Sequence, residues 1–350
     1  MQKLTETTSP AVTPMAFVQA IVRAYERYGV DPAGALTQAR IAPAQLHGPG
    51  ARITAAQMEL ISGVAMQQLD DEALGSFSRK LPWGSYGMLA RASLTAPNLG
   101  VALKRWCRHH RLLTDDIVLS LSTNGAVASL RLAEQRPLPA TREFCVVTTL
   151  RNLHGYACWA IDSRIPLLQA AFPYPAPAHR EAYPLMFRGP LRFDADAAGF
   201  SFDARYLALP LRRDERALQT MLKRALPLIV HQYRRDRLLV QQVHSVLRDR
   251  PADAANAETL ARALNVSVRT LHRQLQEEGA SLQALKDGVR REQAIEQLCR
   301  SARPIKQIAA AVGFASEKSF ARAFRHWTGE SPSAFRQHAQ RELGPAPSAG

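Results

Sequence analysis

Thr259-Leu-Ala-Arg-Ala-Leu-Asn-Val-Ser-Val-Arg-Thr-Leu-His-Arg-Gln-Leu-Gln-Glu-Glu-Gly279 is the stretch whose reading decides the fold. Leu260, Ala261 and Leu264 make the apolar side of a short helix, Asn265-Val266 makes a turn, and Ser267 is placed to cap a second helix through its hydroxyl. Gly279 ends that second helix. Leu271 and Leu275, spaced i and i+4, face inward, which forces Arg269, His272 and Arg273 outward. A short helix, a tight turn and a second helix with a basic outer face is the helix-turn-helix arrangement, whose second helix enters the DNA major groove.

Pro304-Ile-Lys-Gln-Ile-Ala-Ala-Ala-Val-Gly-Phe-Ala-Ser-Glu-Lys-Ser-Phe-Ala-Arg-Ala-Phe-Arg-His-Trp-Thr-Gly329 repeats the pattern. Pro304 suits a helix start, Ile305, Ile308, Ala309 and Val312 form the inner stripe, and Gly313 breaks the helix. Phe314 plugs the core and Ser316 caps the next helix, on which Phe320, Phe324 and Trp327 point in. Glu317, Lys318, Arg322 and Arg325 point out. Between the two units, Ser281 to Arg300 reads as one long helix, and a last helix starts at Ser331-Pro332 and carries Phe335.

Upstream the pattern is mixed. Helices are expected over 15–30, stopping at Gly29, over Pro32–Gln38, from Thr54, over 97–112 and over 141–160. Ile117–Ser122 and Ala126–Leu132 alternate with period two around Asn124-Gly125, a hairpin signal. Ile165–Phe172, Leu191–Asp194 and Gly199–Asp203 read as further strands. The expected fold is therefore an α+β domain followed by an all-α double helix-turn-helix domain. The expected boundaries are a flexible N-terminus at 1–14, an α+β effector-binding and dimerisation domain at 15–214 and a helical linker at 215–250. The double helix-turn-helix domain follows at 251–340, then a disordered tail at 341–350. Pro227 is expected to kink the linker.

Composition sets bounds. Three hundred and fifty residues suit two domains, and no apolar run approaches the roughly 20 residues needed to span a bilayer. The polar, Thr-rich start does not resemble a secretory signal. Cys107, Cys145, Cys158 and Cys299 show neither CxxC spacing nor a neighbouring His at metal-ligand spacing, which points to buried thiols in a reduced, cytoplasmic chain without a metal or cofactor; as a DNA binder it is expected to be nucleoid-associated. The net charge of +15 favours a nucleic-acid partner, or reflects an Arg-rich composition. From residue 251 onward there are 14 basic and 10 acidic side chains, so most of the excess lies upstream, in Arg105–Arg111, Arg212–Arg216 and Arg234–Arg237. Charge does not single out the DNA-binding segment; spacing and capping do.

The run Ile308-Ala309, Gly313-Phe314, Phe320, Arg322-Ala323-Phe324, Gly329, Ser331-Pro332 and Phe335-Arg336 resembles the signature of the AraC/XylS family of bacterial regulators. The resemblance implies a seven-helix domain with recognition helices at 267–278 and 316–328, each entering one of two successive major-groove segments roughly 34 Å apart. Lys318 stands where relatives often carry Pro, and Gly288 lies inside the central helix and weakens it by about 1 kcal/mol relative to Ala. Pro173–Pro177, Tyr183, Phe187, Pro190–Phe193, Phe200–Asp203, Leu207 and Pro210, with Tyr86-Gly87, Ala90 and Ser93-Leu94, resemble the arabinose-binding-type effector domain of one AraC subgroup. That label does not make arabinose the ligand.

The reading is an effector-responsive activator, expected to dimerise and to engage promoter DNA, RNA polymerase and a small molecule, with no membrane partner. A ligand-independent or repressing protein of the same fold is the alternative. The candidate DNA contacts are Ser267, Arg269, Thr270, His272 and Arg273 on the first helix, and Ser316, Glu317, Lys318, Ser319, Arg322 and Arg325 on the second. Arg can pair bidentately with guanine, whereas the second set suits phosphate positioning equally well. Trp83, Tyr86, His154 and Trp159 are candidates for pocket lining, with core packing the alternative. The Arg105–Arg111 run suits an anionic effector or a solvated helix face. No nucleophile elbow, P-loop, dinucleotide fingerprint or metal-binding His/Glu pair is present, and Cys145 or Cys158 near His154 has no catalytic motif around it, so an enzyme is not expected.

Overall fold

The computed structural model describes residues 11–48, 50–138, 141–223, 237–249 and 256–342. They divide into two units that meet in sequence between Arg237 and Leu238.

The first unit opens with strand β1 (Ala11–Pro14), paired antiparallel with β2 (Arg52–Thr54). This corrects the flexible N-terminus expected over 1–14. Its last four residues gain backbone partners that lie some forty positions downstream, which local reading cannot see. Residues 1–10 lie outside the described residues. Helix α1 (Met15–Arg27) ends at Gly29 (φ +66°), where Val30 N–H bonds to Tyr25 O at 3.0 Å and Gly29 N–H to Glu26 O at 3.1 Å, the Schellman pair. Next come α2 (Ala33–Gln38) and α3 (Ala55–Gln68), the latter capped by Thr54, whose hydroxyl accepts from Gln57 N–H. Helices α4 (Ser85–Leu94) and α5 (Leu99–His110) follow, with Asn98 capping α5.

The hairpin is β3 (Ile117–Asn124) and β4 (Val127–Glu134). Its register pairs Asn124 with Val127, so the two-residue loop is Gly125-Ala126 with Gly125 at φ +54°, one place later than an Asn-Gly turn would sit. Helix α6 (Arg142–Ala160) is followed by β5 (Leu167–Ala171), α7 (Tyr183–Met186), β6 (Leu191–Arg192), β7 (Ala198–Asp203) and α8 (Glu215–Leu222). The sheet order is β3-β4-β7-β5-β6, with only the short β5–β6 pair parallel. Gly199 on β7 is required by its neighbour: a Cβ there would collide with Leu130 O on β4. Ile117, Leu119, Leu130, Leu132, Phe200 and Phe202 are buried on the sheet, and α6 lies against α5 and β7. The unit is α+β.

The second unit is all helical: α9 (Leu238–Asp249), α10 (Ala257–Ala263), α11 (Val268–Glu277), α12 (Leu282–Arg300), α13 (Ile305–Ala311), α14 (Glu317–Thr328) and α15 (Pro332–Glu342). Helix α9 was read from sequence as linker. Its Leu239, Val243, Val246 and Leu247 instead share one core with Leu260, Leu271, Leu275, Leu282 and Val289. The Glu278 carboxylate accepts from Leu239 N–H at 3.1 Å and Val240 N–H at 2.8 Å, satisfying the start of α9. With α9 included, the described residues carry the seven helices that the resemblance implies. Pro227 falls outside the described residues.

Candidate DNA interface and effector cavity

Both helix-turn-helix turns are built the same way. In the first, Asn265 adopts φ +56°, Val266 N–H bonds to Ala261 O at 2.9 Å and Asn265 N–H to Arg262 O at 3.1 Å. In the second, Gly313 adopts φ +82°, Phe314 N–H bonds to Ala309 O at 2.9 Å and Gly313 N–H to Ala310 O at 3.1 Å. Each is a Schellman stop followed by an apolar residue that tucks back toward its own helix. The units differ by one residue. Ser267 caps α11 two positions after its left-handed residue, whereas Ser316 caps α14 three positions after, with Ala315 added.

The caps occupy four of the candidate contacts. Ser267 Oγ accepts from Thr270 N–H at 3.0 Å and lies 2.8 Å from Thr270 Oγ1. Ser316 Oγ accepts from Ser319 N–H at 3.1 Å, and Ser319 Oγ donates to Ser316 O at 2.8 Å. Arg269, His272 and Arg273 are exposed on α11, as are Glu317, Lys318, Arg322 and Arg325 on α14. Arg273 pairs with Glu277 at 3.0 Å, while no ion pair is found for Arg269 among the described residues. Gln276, one turn beyond Arg273, is also exposed on the same helix and is not among the candidates read from the sequence.

Beneath these faces lie two cores joined by α12. Leu282 and Val289 enter the first, and Ala294 and Leu298 enter the second, where Ile308, Val312, Phe320 and Phe324 are buried. Phe314 stacks edge-on against Phe320 (5.6 Å) and Trp327 (5.8 Å), and Arg290 of α12 lies over its ring at 5.5 Å. One 19-residue helix, about 28 Å long, thus anchors both recognition helices.

The first unit holds a cavity of about 290 Å³, walled by α3, α4, α5, α6 and α8 together with the 72–84 segment. Of the four pocket candidates, Trp83 and Tyr86 line it. His154 and Trp159 do not. His154 Nε2 sits 2.9 Å from Ile165 O, its ring packs edge-on to Phe200, and burial pushes its imidazole down to about 4. Trp159 is buried under Arg213, whose Nε donates to Trp159 O at 3.0 Å. His154 points into packing on the other side of α6, whereas Trp159 lies two turns beyond Asn152, the last residue of α6 that lines the cavity. Residues that the sequence reading missed include Glu72, Phe77, Phe144, Cys145, Met221 and Leu222, gathered from distant segments. Glu72 accepts from Gly84 N–H at 2.8 Å and Tyr86 N–H at 2.7 Å at the start of α4, while burial raises its pKa. Ser62 Oγ and Ser76 Oγ are buried in the wall without a hydrogen-bond partner among the described residues. Left so, such a hydroxyl costs about 1–3 kcal/mol.

Two of the buried thiols are held in the protonated form. Burial pushes Cys145 and Cys107 up to about 12. Cys158 Sγ lies 3.6 Å from His154 Nε2, but that nitrogen also faces Ile165 O and is held as a donor. Two upstream basic clusters are partly spent inside the unit: Arg213 and Arg237 both pair with Asp162. In Arg105–Arg111, Trp106, Cys107 and His110 are buried while Arg108 and Arg111 face out, a solvated helix face. Among the described residues, no helix is long and apolar enough to cross a membrane.

Two capped helix-turn-helix units on a shared central helix, following an α+β domain with a cavity, define a DNA-binding transcriptional regulator. The chain belongs to the AraC family. The family model described as the arabinose-binding domain of AraC transcription regulators matches residues 29–211, and a helix-turn-helix domain model matches residues 260–338. The ornithine utilization regulator of Pseudomonas aeruginosa is 28% identical over 327 residues, covering 93% of this chain and 96% of that protein. The regulator VqsM of the same organism is 26% identical over 263 residues, covering 72% and 79%. Among solved structures, the transcriptional regulator CdpR of Pseudomonas aeruginosa is 20% identical with a TM-score of 0.33, covering 87% of this chain and 96% of that one.

Proposed function

We propose that this regulator is an effector-responsive activator that acts as a homodimer, contacts RNA polymerase, and takes its small-molecule effector in the cavity of the first unit. One observation carries the reading. Met221 and Leu222 of α8 form part of the cavity wall, and α8 is the last described helix before the DNA-binding unit begins at Leu238. An occupant therefore touches the element that leads, along the chain, to the DNA-binding unit. A ligand that favours one placement of α8 shifts the population of DNA-competent molecules. Helix α11 reads bases through Arg269, Arg273 and His272, and α14 positions the protein through Lys318, Arg322 and Arg325 against phosphate.

Because a full-length relative is named for ornithine utilization, a basic amino acid is one candidate effector class. The test pairs a metabolite thermal-shift screen on the full chain with footprinting of a bound operator. The expected footprint is two protected major-groove segments, roughly 34 Å apart on one face of the duplex. A hit should raise the melting point of the first unit and alter that footprint. A flat screen with an unchanging footprint favours the ligand-independent reading. A single protected segment sinks the two-helix reading.

A further inference from the structure

We infer that Asp162 is a positioning residue that couples the cavity to helix α11: one carboxylate holds both the residue that leads into α8 and the residue that leads into α9. The inference rests on the reading of the cavity as the effector site. Helix α6 ends in a Schellman turn, with Asp162 N–H bonded to Trp159 O at 3.2 Å and Ser163 N–H to Cys158 O at 3.1 Å. Asp162 takes the left-handed position of that turn, φ +52°, where glycine sits without steric cost. The aspartate side chain at this strained position is fully engaged. Its Oδ1 pairs with Arg213, and its Oδ2 lies 3.1 Å from Arg237 Nη1. Neighbouring groups strengthen both attachments. Arg212 N–H bonds to Ala160 O at 2.7 Å and Arg213 Nε donates to Trp159 O at 3.0 Å, while Arg237 N–H donates to Ser163 Oγ at 2.7 Å. The end of α6 is one anchor with two tethers.

Each tether runs directly into a helix. Arg213 precedes Asp214, whose carboxylate caps α8 by accepting from Ala217 N–H at 2.8 Å. Helix α8 brings Met221 and Leu222 to the cavity wall, and its Glu215 pairs with Arg91 of α4 at 2.8 Å. On the other tether, Arg237 is followed by Leu238, the first residue of α9, and the next two amides, Leu239 and Val240, are held by Glu278. Glu278 is the residue at which α11 ends. Leu238 alone therefore separates a fixed point in the first unit from a fixed point in the second. A displacement of Arg237 has almost no slack in which to dissipate before it reaches α9 and the end of α11. Because two arginines share one carboxylate, a displacement of either changes the geometry offered to the other. A cavity ligand that shifts α8 thus acts on Arg213, then on Asp162 and Arg237, and so on α9 and Glu278.

Coupling between two sites is reciprocal, so the route can be tested from the DNA side without an effector. The experiment uses the full-length protein, a duplex that the protein itself selects from a randomised pool, and hydrogen exchange read by mass spectrometry. DNA is expected to slow exchange in the peptide covering Asp214–Leu222 by about threefold in the unaltered protein. Asp162→Gly suits the left-handed backbone and removes the carboxylate, so it should abolish that effect while leaving exchange in the β3–β4 hairpin and protection of α11 by DNA as they were. Arg237→Gln should do the same, and Arg237→Lys, which keeps the charge, should restore part of the effect. The proposal is overturned if DNA leaves α8 exchange unchanged in the unaltered protein, or slows it equally in Asp162→Gly and Arg237→Gln. Faster exchange throughout the first unit in both variants also overturns it, since Asp162 would then serve the fold alone. The effector reading is judged separately. If a cavity ligand alters the operator footprint while Asp162→Gly keeps the DNA effect on α8, the cavity remains the effector site and the route through Asp162 falls.

Discussion

Arg269 and Arg273 stand one turn apart on α11 with different surroundings. Arg269 is exposed and without an ion pair among the described residues, so it can meet a guanine edge without first breaking a bond. Arg269→Ala should lower specific DNA affinity by about 1–3 kcal/mol and relax preference at one base position. A gel-shift titration against operators randomised one pair at a time measures both, and no change in either would falsify the assignment. Arg273 is held by Glu277, and exposed pairs of this kind are worth about 0.2–1 kcal/mol. Glu277→Gln should therefore tighten DNA binding by a similar amount. In an Arg273→Ala background the same substitution should do much less, a double-mutant cycle that separates release of Arg273 from simple loss of negative charge. The outward arginines were legible in the sequence because Leu271 and Leu275 leave them no other direction. The restraint on Arg273 was not drawn from spacing, since side-chain pairing on a helix surface is a local choice made after the helix forms.

At the scale of elements, the turns and caps were the most legible features. Ser267, Ser316, Gly279 and Gly313 act within a few residues of themselves, so their short-range chemistry is written in the chain. The hairpin was legible as a hairpin, yet its loop lies one residue later than the Asn-Gly pair suggested, because Gly125 takes the first loop position with φ +54°. Gly288 shows a local weakness that the structure leaves repairable. It sits inside α12, and a Cβ built there meets nothing within 4 Å. Gly288→Ala should raise the stability of the second unit by about 1 kcal/mol, read as a higher urea midpoint at unchanged slope. A lower midpoint would mean that α12 needs the glycine there for a bend.

For the molecule as a whole, two buried histidines couple the first unit to pH. Burial pushes His110 and His154 from the ordinary 6.5 down to about 4 in the folded chain. Their stabilising contribution is complete above pH 6.5, is lost as pH falls from 6.5 toward 4 because the unfolded chain takes up the protons first, and is flat below 4. Each histidine steepens that loss by about 1.4 kcal/mol per pH unit. Melting of the first unit should therefore drop sharply between pH 6.5 and 4. His110→Phe should flatten the slope, and an unchanged slope in that variant would show that His110 is solvated when folded. The two units need separate transitions in such an experiment, since a chain of two cores need not unfold in one step.

Periodicity, capping residues and turn chemistry in the sequence by themselves determined the class of this protein: two helix-turn-helix units, their outward faces and the α+β character upstream. Each of those signals acts over less than about twenty residues. Tertiary structure decided the rest. It moved α9 from linker to DNA-binding core through Glu278 and a shared apolar cluster, and it tied β1 to β2 across some forty residues. It kept Trp83 and Tyr86 at the cavity, turned His154 away from it and left Trp159 beyond its end along α6. A cavity belongs to no segment. It is the space left where five helices and a loop meet, a property of their packing and not of any one stretch of chain.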